Sequence, residues 1–179
     1  VGIGTTTPSS KLTIVGDACV SGVITATNFA KADGSSLGGF EQDTKGNLVA
    51  GDGAGAAKDS DTCFNIMIGC NSGAALNEGD GNILLGCNSG TTLTSGSYNV
   101  FLGSEAGRCS TEAGSGVFLG PGAGKENTTG SQNVYIGRNA GNKDTVAPNN
   151  IGIGAYALAC CDGGSTAKLG NIAIGHNAN

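Results

Sequence analysis

Tryptophan is absent from the 179-residue chain, proline occurs three times, histidine once, and aromatic residues make up 4%. Charged side chains reach only 13%, about half the share of an average soluble domain. Each shortage excludes something. So few prolines, without glycine at every third position, exclude a collagen triple helix. A single histidine, His176, leaves no imidazole pair for acid–base chemistry. Low charge combined with 38% hydrophobic residues is the reverse of a disordered composition. No stretch approaches the roughly 18 consecutive apolar residues of a membrane-spanning helix, and no signal peptide is visible. The formal net charge of -5 is not the basic footprint that nucleic acid or an anionic bilayer requires. We therefore expect no nucleic-acid partner and no membrane insertion.

What is abundant is glycine, with 34 residues. A helical bundle does not tolerate that load, because each interior glycine costs about 1 kcal/mol relative to alanine. Glycine must therefore have a fixed positional role, and a repeat supplies one. The segment Asn133-Val134-Tyr135-Ile136-Gly137-Arg138-Asn139-Ala140-Gly141 is copied from Asn47, Asn65, Asn82, Asn99, Gly116, Asn150 and Asn171, at spacings of 18, 17, 17, 17, 17, 17 and 21 residues. The fifth position is glycine in all eight copies, the eighth is always Ala or Ser, and the ninth is glycine in six. A glycine directly after a strand marks positive φ or a close backbone approach. Asn opens seven copies; stacked amides would form a hydrogen-bonded ladder, or each Asn would cap only its own turn. The period reads as an all-β fold, a β-solenoid or β-roll of about eight 17-residue coils spanning residues 47–179. Each coil is expected to hold one strong strand and a weaker second one. The weaker arm is uneven, since Leu76 and Leu93 align with Ser110, Asn127 and Asp144.

Side chains two apart on a strand share a face. The second position (Leu48, Ile66, Ile83, Val100, Val117, Val134, Ile151, Ile172) and the fourth (Ala50, Ile68, Leu85, Leu102, Leu119, Ile136, Ile153, Ile174) are therefore expected to point together into the core. The third position would face outward, and there Val49, Met67, Leu84, Phe101, Phe118 and Tyr135 form an apolar stripe. Such a stripe marks an interface. The expectation is a homotrimer about an axis parallel to the solenoid, closed through those six residues.

Residues 1–46 differ from the repeat. They read as a β-rich junction, with strands over Lys11–Val15 and Val20–Phe29, followed by a Gly/Ser linker at residues 33–39. The run Val1-Gly2-Ile3-Gly4-Thr5-Thr6-Thr7-Pro8-Ser9-Ser10-Lys11-Leu12-Thr13-Ile14 resembles a junction common in phage tail-fibre proteins. The segment Val20–Phe29 looks like fibres of marine cyanophages. The repeats, such as Tyr98 to Gly107, are similar to the heads of trimeric autotransporter adhesins, although their period is longer. The resemblance implies a trimeric, left-handed β-roll or an intertwined β-fibre that presents an adhesive tip, on a virion appendage or on a bacterial cell surface. Its partners would be its own copies and a host-surface glycan or protein.

Other chemistry finds little support. Seven cysteines (Cys19, Cys63, Cys70, Cys87, Cys109, Cys160, Cys161) form no CxxC pair, and zinc is not expected. Cys70 and Cys87 occupy the same position in adjacent coils, at a spacing compatible with a disulfide, although buried free thiols are the expected state; Cys160 or Cys161 could instead bridge chains. Asp52-Gly53, Asp80-Gly81 and Asp162-Gly163 resemble calcium-roll turns but do not recur at one position. Glu78, Glu105, Glu112, Glu126 and Asp144 are scattered, where glycan cleavage needs a carboxylate pair. Thr91-Thr92 and Thr128-Thr129 do not make the single row an ice-binding face would need. No catalytic, metal or cofactor residues are assigned. The reading is a non-enzymatic structural and adhesive fibre segment; the alternatives are a bacterial adhesin or extracellular filament subunit and, behind these, a polysaccharide-acting solenoid enzyme.

Overall fold

A computed structural model describes residues 41–159 and 170–179, all within one unit, Gly38–Asn179. The strands expected at Lys11–Val15 and Val20–Phe29 lie outside the described residues. The fold is a β-solenoid. Its strands are β1 (Glu41–Gln42), β2 (Leu48–Ala50), β3 (Ile66–Ile68), β4 (Ile83–Leu85), β5 (Val100–Leu102), β6 (Val117–Leu119), β7 (Val134–Ile136), β8 (Ile151–Ile153) and β9 (Ile172–Ile174). They form one sheet in sequence order. β1 is antiparallel to β2, and every later pair is parallel. The register follows the repeat residue for residue, with Phe101 opposite Phe118 and Phe118 opposite Tyr135.

The fifth-position glycines have two reasons at once. Their φ values lie between 121° and 138°, a region L side chains rarely enter. A Cβ on Gly69, Gly86, Gly103, Gly120 or Gly137 would also fall 2.6–2.7 Å from the carbonyl of the equivalent glycine in the next coil. At the ninth position the obstacle is the core itself. A Cβ on Gly107 would meet the Phe101 ring at 2.4 Å, and one on Gly141 the Tyr135 ring at 2.5 Å.

The Asn ladder exists. The side-chain amide of Asn65 donates to Asn47 Oδ1 at 3.1 Å, that of Asn82 to Asn65 Oδ1 at 3.0 Å, and that of Asn99 to Asn82 Oδ1 at 3.0 Å. Each backbone N–H donates to the same oxygen. Each amide also reaches a carbonyl 14 residues on: Gly79, Gly96 and Ala113. These rungs are fully buried, where an unmet polar group costs roughly 1–3 kcal/mol. Gly116 interrupts the ladder, and the carbonyl 14 residues beyond it, Gly130 O, is bonded instead by the Asn127 amide at 2.8 Å. The polar residue in the return arm thus takes over the missing rung's contact.

Two expectations are corrected. The first concerns the strand faces, which are inverted. Met67, Leu84, Phe101, Phe118 and Tyr135 are completely buried, and Val49 packs against the same core. They are the monomer's interior, so they cannot form the expected trimer contact. Phe101 and Phe118 stack with ring centroids 4.5 Å apart and planes 1° from parallel, and Tyr135 continues the column at 5.2 Å. The second- and fourth-position rows, expected inside, face outward and are half-buried along β2 to β8. The physical reason is parity: the first and third positions share a face, so burying the Asn ladder buries the third position with it.

The second correction concerns the return arm, which carries no strand among the described residues. Turns there are joined coil to coil by backbone bonds such as Gly73 N–H to Ser89 O and Thr111 N–H to Thr128 O, both 2.9 Å. The uneven row Leu76, Leu93, Ser110, Asn127, Asp144 is buried throughout. Its composition complements the strand. Coils with Met67 or Leu84 carry leucine across the core, whereas coils with Phe101, Phe118 or Tyr135 carry the smaller or polar residue. At close packing a larger group on one side demands a smaller one on the other.

Candidate functional site

The most unusual surface is the outward face of the sheet. Side by side it carries Ile66, Ile83, Val100, Val117, Val134 and Ile151 in one row, and Ile68, Leu85, Leu102, Leu119, Ile136 and Ile153 in the other. On β9, Ile172 and Ile174 are each 69% exposed. A sheet face in water normally alternates apolar with polar residues; here the outer face holds no charged side chain from β3 to β9. Seven strands about 4.8 Å apart, each about 10 Å long, give a flat apolar area of about 300 Å², the scale of the largest patch on a typical monomer.

The two turn corners flanking the strand are columns of left-handed residues. One holds Phe64, Gly81, Tyr98, Ser115, Gln132 and Asn149, with φ between 57° and 65°. The other holds Asn71, Asn88, Glu105, Gly122, Asn139 and Tyr156, with φ between 52° and 68°. Asn71 donates to Asn88 Oδ1 at 3.4 Å.

Cys70 and Cys87 sit beside that second column. Both are free and exposed, and Cys63 and Cys109 are half-buried. The expectation of buried thiols therefore fails for Cys70 and Cys87, whose side chains project outward at a corner. Partial desolvation in the stack, and then the neighbouring Cys87, raise the Cys70 thiol above its ordinary pKa, so it stays protonated and weakly nucleophilic at neutral pH. Cys19, Cys160, Cys161 and Asp162-Gly163 lie outside the described residues.

The carboxylates have structural partners. Glu105 pairs with Lys125 at 2.6 Å and Arg108 at 3.4 Å; the bond from Lys125 chiefly holds its carboxyl below the usual range. Asp144 is buried, accepts from the Tyr135 hydroxyl, and joins Asn150 Nδ2 at 3.0 Å and Ala147 N–H at 3.2 Å. Asp80 Oδ1 accepts from Cys63 N–H at 2.8 Å, bridging coils. Glu78, Glu112 and Glu126 are exposed. Among the described residues, no group of three or more His, Cys, Asp and Glu side chains is placed to hold a metal, and no helix is long and apolar enough to cross a membrane.

One row escaped the sequence reading. Thr94, Thr111, Thr128 and Thr145 align in successive coils, and the first three hydroxyls donate to the next coil's threonine carbonyl at 3.1, 3.4 and 2.8 Å. The signal was a threonine at the thirteenth position of four consecutive copies. Three of its hydroxyls thus tie neighbouring coils together through the backbone. Comparison with protein-family models, curated proteins and solved structures finds no significant match to this chain.

Proposed function

We propose that this chain is a stiff, non-catalytic segment of an extracellular fibre, of the phage tail-fibre kind, which contributes to host-surface attachment and assembles with two further copies through its outward sheet face. One observation carries the reading: two uninterrupted apolar rows on a flat face, in a chain whose core is already complete without them. Burying such a face contributes about 25 cal/mol per Å², and a closed threefold arrangement hides one face per chain. The rod form suits a mechanical role, because each coil is tied to the next by parallel backbone bonds, reinforced by Asn rungs on either side of Gly116 and by the ring stack from Phe101 to Tyr135. The tail-fibre and adhesin-head resemblances favour three copies and a virion appendage. A bacterial surface adhesin or filament would use the same face, and the domains adjoining this segment separate the two readings.

The test is the assembly state of face variants. Val117→Asp together with Leu119→Asp is expected to leave a folded monomer, while the parent chain forms trimers. A double variant that remains fully assembled would contradict the reading. A glycan-release assay on bacterial surface polysaccharide is expected to stay blank; released oligosaccharide would restore the enzyme alternative.

A further inference from the structure

The left-handed column preceding each Asn holds two side chains the fold does not require. Phe64 is 74% exposed and Tyr98 is 71% exposed, at φ values of 57° and 60°. Bulky residues are outliers in that region, and other coils fill the position with Gly46, Gly81 or Asn149. Each ring is seated by one edge on the glycine of the preceding coil. A Cβ on Gly46 would lie 2.9 Å from Phe64 Cδ1, and one on Gly81 would lie 2.9 Å from Tyr98 Cδ1. The backbone N–H groups of Phe64 and Tyr98 donate to Lys45 O and Asp80 O at 3.1 and 2.9 Å, so both rings leave the rod in the same orientation. The rings are thus held in place while most of their surface meets solvent. Gly81, the residue between them in the column, adds no side chain of its own, and the edge of the Tyr98 ring lies over it. Two coils separate them, a distance of about 10 Å along the rod.

From Tyr98 the column continues with Ser115, Gln132 and Asn149, all exposed, one per coil. We infer that this column is a linear binding site for a neutral, extended β-linked glycan: Phe64 and Tyr98 stack on alternate sugar rings, and Ser115, Gln132 and Asn149 hydrogen-bond the hydroxyls of those that follow. The match is geometric and chemical. Successive sugars of an extended β-linked chain advance by close to one coil spacing, so alternate sugars present a face at each aromatic ring. Aromatic rings offer a flat apolar surface with a defined quadrupole, which suits the C–H face of a pyranose. The column from Phe64 to Asn149 carries no charge, which selects neutral sugars. The inference deepens the attachment part of the proposed function by naming a ligand class, and it does not require the outward sheet face.

The test is calorimetric titration of the full chain with cellohexaose and chitohexaose, with α-linked maltohexaose as control, alongside Phe64→Gly, Tyr98→Gly and the double variant. Glycine is already accepted at this corner in neighbouring coils, so the variants keep the fold. Expected are binding of at least one β-linked hexamer with a change in tyrosine emission, weaker binding of maltohexaose, at least a tenfold loss of affinity in each single variant, and loss of binding in the double variant. Absence of binding by both β-linked hexamers, or full affinity in the double variant, would overturn the inference. So would a double variant that falls from trimer to monomer in solution, because the rings would then belong to the assembly. Glycan binding by a chain that is monomeric throughout would leave this site standing and remove the trimer.

Discussion

The two sides of the same three-residue strands behave differently. Inward, the row changes size from coil to coil, running from Met67 through Leu84 and Phe101 to Phe118 and Tyr135, and the return arm carries leucine in the first two of these coils and Ser110, Asn127 and Asp144 in the three ring-bearing ones. Outward, the rows repeat Ile, Val and Leu with little variation. A core must fill a closed volume, so each residue is tuned to what lies across from it. A flat face that meets another flat face needs only uniform, β-branched cover. Variation coupled to a partner row therefore marks the interior, and uniformity marks the outer face, which we propose is covered by another copy.

The sharpest way to break that comparison is to place one charge on either side. Phe118→Asp puts a carboxylate in the ring stack and is expected to unfold the solenoid, at a cost of roughly 4 kcal/mol or more. Val117→Asp, one residue away, is expected to shift monomer stability by less than about 1 kcal/mol while weakening assembly. Denaturant unfolding checks both, and similar destabilisation by the two would erase the distinction between faces.

Next in size is the ladder. Asn82→Ala removes two donated bonds and leaves the Asn99 backbone and side-chain N–H groups without their acceptor. A loss of about 3 kcal/mol is expected. A smaller, more specific effect joins the two sides of the coil. Asn127→Leu strips Gly130 O of its donor and is expected to cost about 1–2 kcal/mol. Gly116→Asn restores the ladder rung that reaches the same carbonyl. The double variant should recover most of the loss, with a favourable coupling near 1 kcal/mol in a double-mutant cycle; simple additivity would separate Asn127 from the ladder.

The smallest effect concerns the first rung. Burial pushes the Asp43 carboxyl up, but bonds from Asn47 and Lys45 and the charge of Lys58 outweigh it and hold its pKa below the ordinary value. A depressed acid adds stability that is present above its unfolded pKa of about 3.9 and lost as the pH falls through the lower folded value. The first coil should loosen only in that acid range, read as faster amide exchange at Leu48. Asp43→Asn should remove that pH dependence.

Much of the fold was legible. The 17-residue spacing set the register, the invariant glycines marked the corners, and the Asn column offered a ladder or separate turn caps, of which the structure shows the ladder. The inward sense of the strand was not read from periodicity, because positions two, three and four are all apolar and a period of two then carries no sign. The overlooked clue was the Asn at position one, which shares a face with position three. Ser110, Asn127 and Asp144 look like surface residues in isolation; only beside Phe101, Phe118 and Tyr135 do they make sense as core. The Phe64 and Tyr98 column was hidden for another reason. Its meaning depends on positive φ and on the glycine beneath each ring, and neither is written in residue type alone.

The most direct measurement is the solution mass of the full chain by light scattering under reducing conditions. The account predicts a species near three times the 17.3 kDa chain, with the outward isoleucine and valine rows hidden between copies. A monomer at the same concentration would contradict it, because the apolar sheet face would then stand in water with nothing to cover it.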